Sequence, residues 1–186
     1  VWLHTKDTFF FSGGDAISMN VGTTIIKSRH SVRKYKPAPI EEVVIRDVLE
    51  CARHAPTAMN LQPWLFGVIR DRELLKKIAG LTDHGKFIAD AAACFAVCGE
   101  RKAKYYLEDC CAATETLILA LQAYGVGSCW VAGEKKEYAE DVRILLKVPK
   151  EYTLVSLVPA GYPADLTIQK KKEVDLTVFY EIYKEE

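Results

Sequence analysis

One sheet packed between helices, an α/β or α+β sandwich, is the fold class this sequence predicts, and three observations predict it. Short apolar runs of strand length alternate with longer stretches of helical spacing. No Gly-rich phosphate loop joins a strand to a helix, and no internal repeat or low-complexity tract interrupts the alternation. The length of 186 residues with 49% hydrophobic content suits one ordinary domain, which buries roughly 70% of its unfolded surface.

The elements follow in order. Ile40, Val44, Val48, Cys51 and Ala55 share one helical stripe that is entered after Pro39 and stopped by Pro56, so a helix is expected over 40–55. Leu65 to Arg70 reads as a short apolar strand, Glu73 to Leu81 as a short helix, and Ala92 to Gly99 as a buried strand. The stretch Ala103 to Tyr124 is apolar over most of its circumference beyond Asp109, through Leu107, Cys111, Thr114, Leu117, Ile118 and Leu121. A helix of that kind is buried in the core or between subunits, and Gly125 is its natural stop. Gly127 to Ala132 reads as a strand turning at Gly133, Glu137 to Leu146 as a helix, and Thr153 to Pro159 as the last strand.

Both ends lie outside this pattern. The chain after Gly161-Tyr162-Pro163 is polar through Lys172, then offers Val174, Leu176, Val178, Phe179 and Ile182. Such a tail needs a surface to cover, as on another subunit. Val1 to Ser18, with Thr8-Phe9-Phe10-Phe11 before Ser12-Gly13-Gly14, fits neither a signal peptide nor a helix. It reads as an N-terminal extension, natural or added, ahead of a single domain over 19–186.

Charge and cysteine usage exclude several functions. Lys plus Arg number 25 and Asp plus Glu number 25, so the whole molecule carries no electrostatic footprint for nucleic acid or an anionic membrane. No stretch approaches the roughly 18 apolar residues of a membrane span. Any anion site must be local, and basic residues do crowd at Lys27, Arg29, Arg33, Lys34 and Lys36 and again at Lys170, Lys171 and Lys172. In Arg29-His30-Ser31-Val32-Arg33 two arginines can grip a phosphate bidentately while the Ser31 hydroxyl adds a third donor. Cys94 and Cys98, four residues apart on a strand, are separated by about 13 Å and can neither bridge nor share a metal. Cys110 and Cys111 point about 100° apart on a helix. With no CxxC pair among the six cysteines, free thiols in a reducing cytosol are favoured over a zinc site. His4, His30, His54 and His84 lack the partners of a triad or metal site, so no catalytic side chain and no metal ligand is named.

A second motif is the polar loop Pro56-Thr57-Ala58-Met59-Asn60-Leu61-Gln62-Pro63-Trp64. With Arg29 to Arg33, and with Gly125-Val126-Gly127-Ser128-Cys129-Trp130 and Pro159-Ala160-Gly161-Tyr162-Pro163, it makes four blocks in the right order. Together they resemble the FMN-dependent nitroreductase family from Met19 to about Leu176. The resemblance implies an α+β fold with a central, mostly antiparallel sheet flanked by helices, in an intertwined cytoplasmic homodimer with two FMN sites at its interface and an embracing C-terminal tail. It implies ping-pong reduction through flavin N5, with NAD(P)H as co-substrate and a nitroaromatic, quinone or similar small acceptor. By motif position, Arg29 and Ser31 would hold the FMN phosphate, His30 between them would belong to the cofactor site, and Arg33 would lie by the pyrimidine side of the ring. Pro56, Thr57, Ala58 and Asn60, with Gln62 close by, would come from the other subunit. Ala132 and Gly133 match the turn that approaches N5 and O4. Lys170 and Lys172 would close on the phosphate, and Lys86 would reach the ring. The chain departs from larger members at Ala58, where serine is common, and at Glu100 to Lys102, where those members carry a substrate-covering insertion. A flavin-fragmenting enzyme of the same superfamily and a non-catalytic flavin-storage protein stand as alternatives.

Overall fold

The structure, a computed structural model, describes residues 20–165 and 169–183. The expected extension over 1–18 lies outside them. Five helices, α1 (Val21–Ser28), α2 (Glu42–Ala52), α3 (Arg72–Leu81), α4 (Tyr106–Ala123) and α5 (Tyr138–Leu145), surround five strands, β1 (Trp64–Ile69), β2 (Ala93–Glu100), β3 (Gly127–Ser128), β4 (Val131–Ala132) and β5 (Tyr152–Gly161). The sheet order is β1-β2-β5-β3, with β4 also on β5, and every strand pair is antiparallel. This resolves the two-way expectation in favour of α+β.

Strand alternation divides the core. On β2 and β5, Ala93, Phe95, Val158 and Ala160 face Val44, Ile45 and Val48 of α2 and Leu117, Ile118 and Leu121 of α4. The other face, with Cys94, Ala96, Cys98, Leu154 and Leu157, packs on Leu75 and Ile78 of α3 and Tyr138 and Val142 of α5. Between them the pairing shifts: Val97 lies opposite Ser156 and Cys98 opposite Leu154, which leaves Val155 as an extra residue. The bulge turns Val155 and Ser156 both toward α4, where Val155 meets Cys110 and the Ser156 hydroxyl lies 2.8 Å from that of Thr114.

The structure shortens α2 relative to the sequence pattern. Ile40 is buried ahead of the helix, and after Ala52 the chain tightens into turns from His54 N to Cys51 O and Ala55 N to Ala52 O. Helix α1, which the apolar spacing did not indicate, is capped by Asn20 and buries none of its residues. Helix α4 ends as expected: Gly125 has φ +69°, with its N–H on Gln122 O and that of Val126 on Leu121 O, the paired bonds of a Schellman turn.

The single strand expected over Gly127 to Ala132 is opened at Cys129 and Trp130, although β3 and β4 keep one register on β5. Cys129 N–H donates to Pro159 O at 3.2 Å, and an antiparallel pair of this type returns the bond from the partner's N–H. Pro159 has none to return. A proline inside β5 therefore splits the strand beside it.

Candidate functional site

The Arg29–Arg33 motif lies extended along the outside of β3. Val32 N–H donates to Ser128 O at 2.9 Å, Lys36 N–H to Tyr162 O at 2.8 Å, and Ala164 N–H to Lys34 O at 3.0 Å. Val32 is buried, and the alternation of an extended chain leaves Ser31 and Arg33 on the exposed side. The close approach needs Gly127, where a Cβ would stand 2.6 Å from Val32 Cγ2. Tyr35 locks the turn by donating its hydroxyl to Val32 O at 2.8 Å and Pro159 O at 3.1 Å. Burial pushes the Tyr35 phenol far above its ordinary value, so it stays a donor.

The basic groups converge where the edge strand opens. Burial raises the Cys129 thiol, while Arg33, Ser31 and Arg29 pull it the other way, an imprint of their proximity. Among the described residues neither arginine has a carboxylate partner. His30 Nδ1 lies 3.0 Å from Ser28 O and must donate to it, while Nε2 is buried with no partner. Two guanidinium groups without a carboxylate partner and the Ser31 hydroxyl, gathered about Cys129, fit an anionic ligand.

Arg33 also lines a cleft of about 180 Å³ with Phe87, Cys129, Trp130, Ala132 and Tyr138. Its guanidinium carbon lies 5.9 Å from the centre of the Phe87 ring. Residues 129, 131 and 133 turn their N–H groups toward β5, since Gly133 N–H donates to Val155 O at 2.9 Å. By alternation the Ala132 N–H points away from β5. Of the two expected backbone contacts, Ala132 offers a donor and Gly133 has already spent its own.

The loop after α2 is built differently. Met59, Asn60 and Gln62 have φ of 52°, 55° and 52°, the left-handed region that costs a non-glycine residue roughly 1–2 kcal/mol. Asp109, in the first turn of α4 and 6% exposed, is the one carboxylate among the buried described residues. It accepts from Thr57 Oγ1 at 2.7 Å and Ala58 N–H at 3.1 Å, and Gln62 N–H donates to Thr57 Oγ1 at 3.0 Å. Sequence reasoning passed over Asp109 as a site residue; the only signal was a pair of acids, Glu108 and Asp109, at the mouth of an apolar helix. Pro56, Asn60 and Gln62 are exposed, Thr57 and Ala58 half-buried, and no residue of 56–62 lines the cleft.

The three lysines stand apart. Lys86 donates to Ala79 O at 3.1 Å and Gly80 O at 3.0 Å, closing the end of α3, while its neighbour Phe87 reaches the cleft. Lys170 and Lys172 are exposed, with Lys170 3.7 Å from Glu173. All six cysteines are free thiols, and no described helix is long and apolar enough to cross a membrane.

The sequence profile of the nitroreductase family matches residues 26–84 and 80–162, and the chain belongs to that family. A protein of Archaeoglobus fulgidus, provisionally named NADH dehydrogenase/NAD(P)H nitroreductase, is 37% identical over 147 residues, spanning 76% of this chain and 84% of that relative. A solved structure from Bacteroides thetaiotaomicron under the same provisional name has a TM-score of 0.86 at 30% identity, covering 89% of this chain and 100% of that one. An FMN-dependent nitroreductase from Clostridium difficile has a TM-score of 0.79 at 25% identity, covering 86% of this chain and 98% of that one. The expected family and its α+β fold are borne out.

Proposed function

We propose that this chain is an FMN-dependent NAD(P)H oxidoreductase that works as a homodimer with shared sites. The observation that carries the reading is the convergence of Arg29, Ser31 and Arg33 on the opened edge strand, where Ala132 also lines the cleft with its N–H turned away from β5. Arg29 and Ser31 suit the phosphate as charge-assisted donors, while the Nε2 of His30, whose Nδ1–H is given to Ser28 O, is left to accept from a ligand hydroxyl. Arg33 holds a fixed positive charge at the cleft, where it would favour negative charge on a reduced ring. Bound FMN would supply the transfer of hydride and electrons between a nicotinamide and a small acceptor such as a nitroaromatic or quinone. The protein side needs no acid or base of its own, and the connection between β2 and α4, residues 101–105, is too short to hold a substrate-covering insertion.

The dimer is supported by apolar surface that none of the described residues covers. In the tail, Val174, Leu176, Phe179 and Ile182 are exposed, and α4 keeps a half-buried apolar flank at Cys111, Ala112, Leu119 and Ala120. The loop 56–62 then serves the partner's site, in keeping with its separation from the cleft of its own chain. Free thiols throughout suit a reducing, cytoplasmic setting. Lys170 and Lys172, on the tail, are proposed to approach the phosphate only in that assembly.

The test is spectroscopic. Protein reconstituted with FMN is expected to lose its visible flavin absorbance on addition of NADH or NADPH and regain it with acceptor. Arg29→Ala is expected to weaken FMN about 10- to 100-fold, the value of a hydrogen bond to a charged group, and riboflavin, which lacks the phosphate, far less. Equal loss for both ligands overturns the phosphate assignment. Flavin destroyed during turnover, or colour indifferent to nicotinamides, would favour the fragmenting enzyme or the storage protein respectively.

A further inference from the structure

The geometry assigns Asp109 as the positioning residue that sets the conformation of the loop Pro56–Gln62. A buried carboxylate is costly unless its oxygens are satisfied, and among the described residues this one has no cationic partner. Its donors come from the loop itself: Thr57 Oγ1 at 2.7 Å and Ala58 N–H at 3.1 Å. Asp109 stands in the first turn of α4, where the helix dipole favours a negative charge.

The direction of each proton makes the arrangement a relay. Gln62 N–H donates to Thr57 Oγ1, so Thr57 turns its single hydroxyl proton to Asp109 Oδ2. Both ends of the loop are thereby tied to one carboxylate, Ala58 directly and Gln62 through Thr57. The residues between them include Met59 and Asn60 in the left-handed region, and Gln62 itself is left-handed. Removing the anion frees the loop to relax into ordinary backbone, which moves Asn60 and Gln62 away from where they project. Ala58 N–H lies 3.1 and 3.2 Å from the two oxygens, so whichever way the amide of Asp109→Asn is turned its NH2 faces either the Thr57 proton or the Ala58 N–H.

That this loop meets FMN rests on the function proposed above; that Asp109 shapes it does not. Two measurements on the whole chain therefore separate them. In the flavin-free protein, Asp109→Asn is expected to speed amide hydrogen exchange at Ala58 and Gln62 at least about 10-fold, with the protection of β2 and β5 unchanged. In FMN titrations read by flavin fluorescence, Asp109→Asn and Thr57→Val are each expected to weaken binding about 10-fold or more. The double variant should be no worse than either alone, because both cut one chain of bonds. Thr57→Ser keeps the hydroxyl and is expected to bind within a few-fold of the parent. Unchanged loop exchange in Asp109→Asn overturns the assignment, as does a folded fraction that binds FMN like the parent while only the melting temperature falls. Should Asp109→Asn not fold, Thr57→Val carries both measurements. A parent protein that binds no FMN, yet loses loop protection in the variants, would defeat the functional reading and leave the positioning role standing.

Discussion

The two motifs that mark this chain are held in opposite ways. Arg29 to Lys36 lies along the sheet and is fixed by several backbone bonds, to Ser128, Tyr162 and from Ala164, with Tyr35 bonded at two further carbonyls. Pro56 to Gln62 joins no ladder, carries three left-handed residues and depends on one buried carboxylate. The first is redundant and close to ordinary geometry. The second closes a short turn on itself, from Asn60 N–H to Thr57 O and from Leu61 N–H to Ala58 O, and ties that strained turn to α4 through one carboxylate. On the function proposed above, a charged grip on phosphate would tolerate long, adjustable side chains on a firm backbone, whereas a loop that presents backbone and short amides would need the backbone itself set in place.

The strongest way to break the comparison is to ask whether the motifs serve one site from two chains. Arg29→Ala and Asn60→Ala are each expected to lack turnover. Refolded together with random assortment, they should recover about a quarter of all sites, since half the dimers are mixed and each mixed dimer has one site free of both defects. No recovery of flavin binding or turnover would place both motifs in the same chain's site.

A smaller effect sharpens the ladder-held side. Gly127→Ala sets a Cβ 2.6 Å from Val32 Cγ2, an overpacking expected to cost about 1–3 kcal/mol in urea unfolding. It should also weaken FMN by displacing Arg29 to Arg33, without changing amide exchange in the loop 56–62. If FMN affinity stays at the parent value, the register of Val32 on Ser128 does not position the phosphate grip.

The smallest effect belongs to the strained side. Met59 is 79% exposed with φ of 52°, so Met59→Gly surrenders little packing and relieves left-handed strain. The gain is offset by glycine's greater freedom when unfolded, leaving an expected net stabilisation of about 0.5 kcal/mol. A loss of stability beyond about 1 kcal/mol would show that the backbone there is not strained but fitted to the Met59 side chain.

Much of this was legible along the chain because the deciding interactions are local. The stop of α4 at Gly125 follows from one residue's tolerance of positive φ, and the strand holding Cys94 and Cys98 follows from its apolar run between turns. The basic motif announced itself because two arginines around a serine concentrate donors in five residues. The opening at Cys129 and Trp130 was not legible there, since its cause is Pro159 on another strand. Asp109 was passed over because its partners Thr57 and Ala58 lie on a different element. Lys86, beside the cleft residue Phe87 in sequence, turns to the carbonyls of Ala79 and Gly80 instead.

By itself the sequence determined the alternation of elements, the helix and strand faces, the family and the residues rich in donors, because periodicity, capping and composition act within a few neighbouring residues. Only the tertiary structure decided that the Arg29–Arg33 segment joins β3 at the sheet edge, that Ala132 rather than Gly133 has an N–H to offer, and that a buried acid sets the second loop. Those outcomes depend on which strands pair and which way each backbone group then points, and pairing joins residues that sequence separation keeps apart.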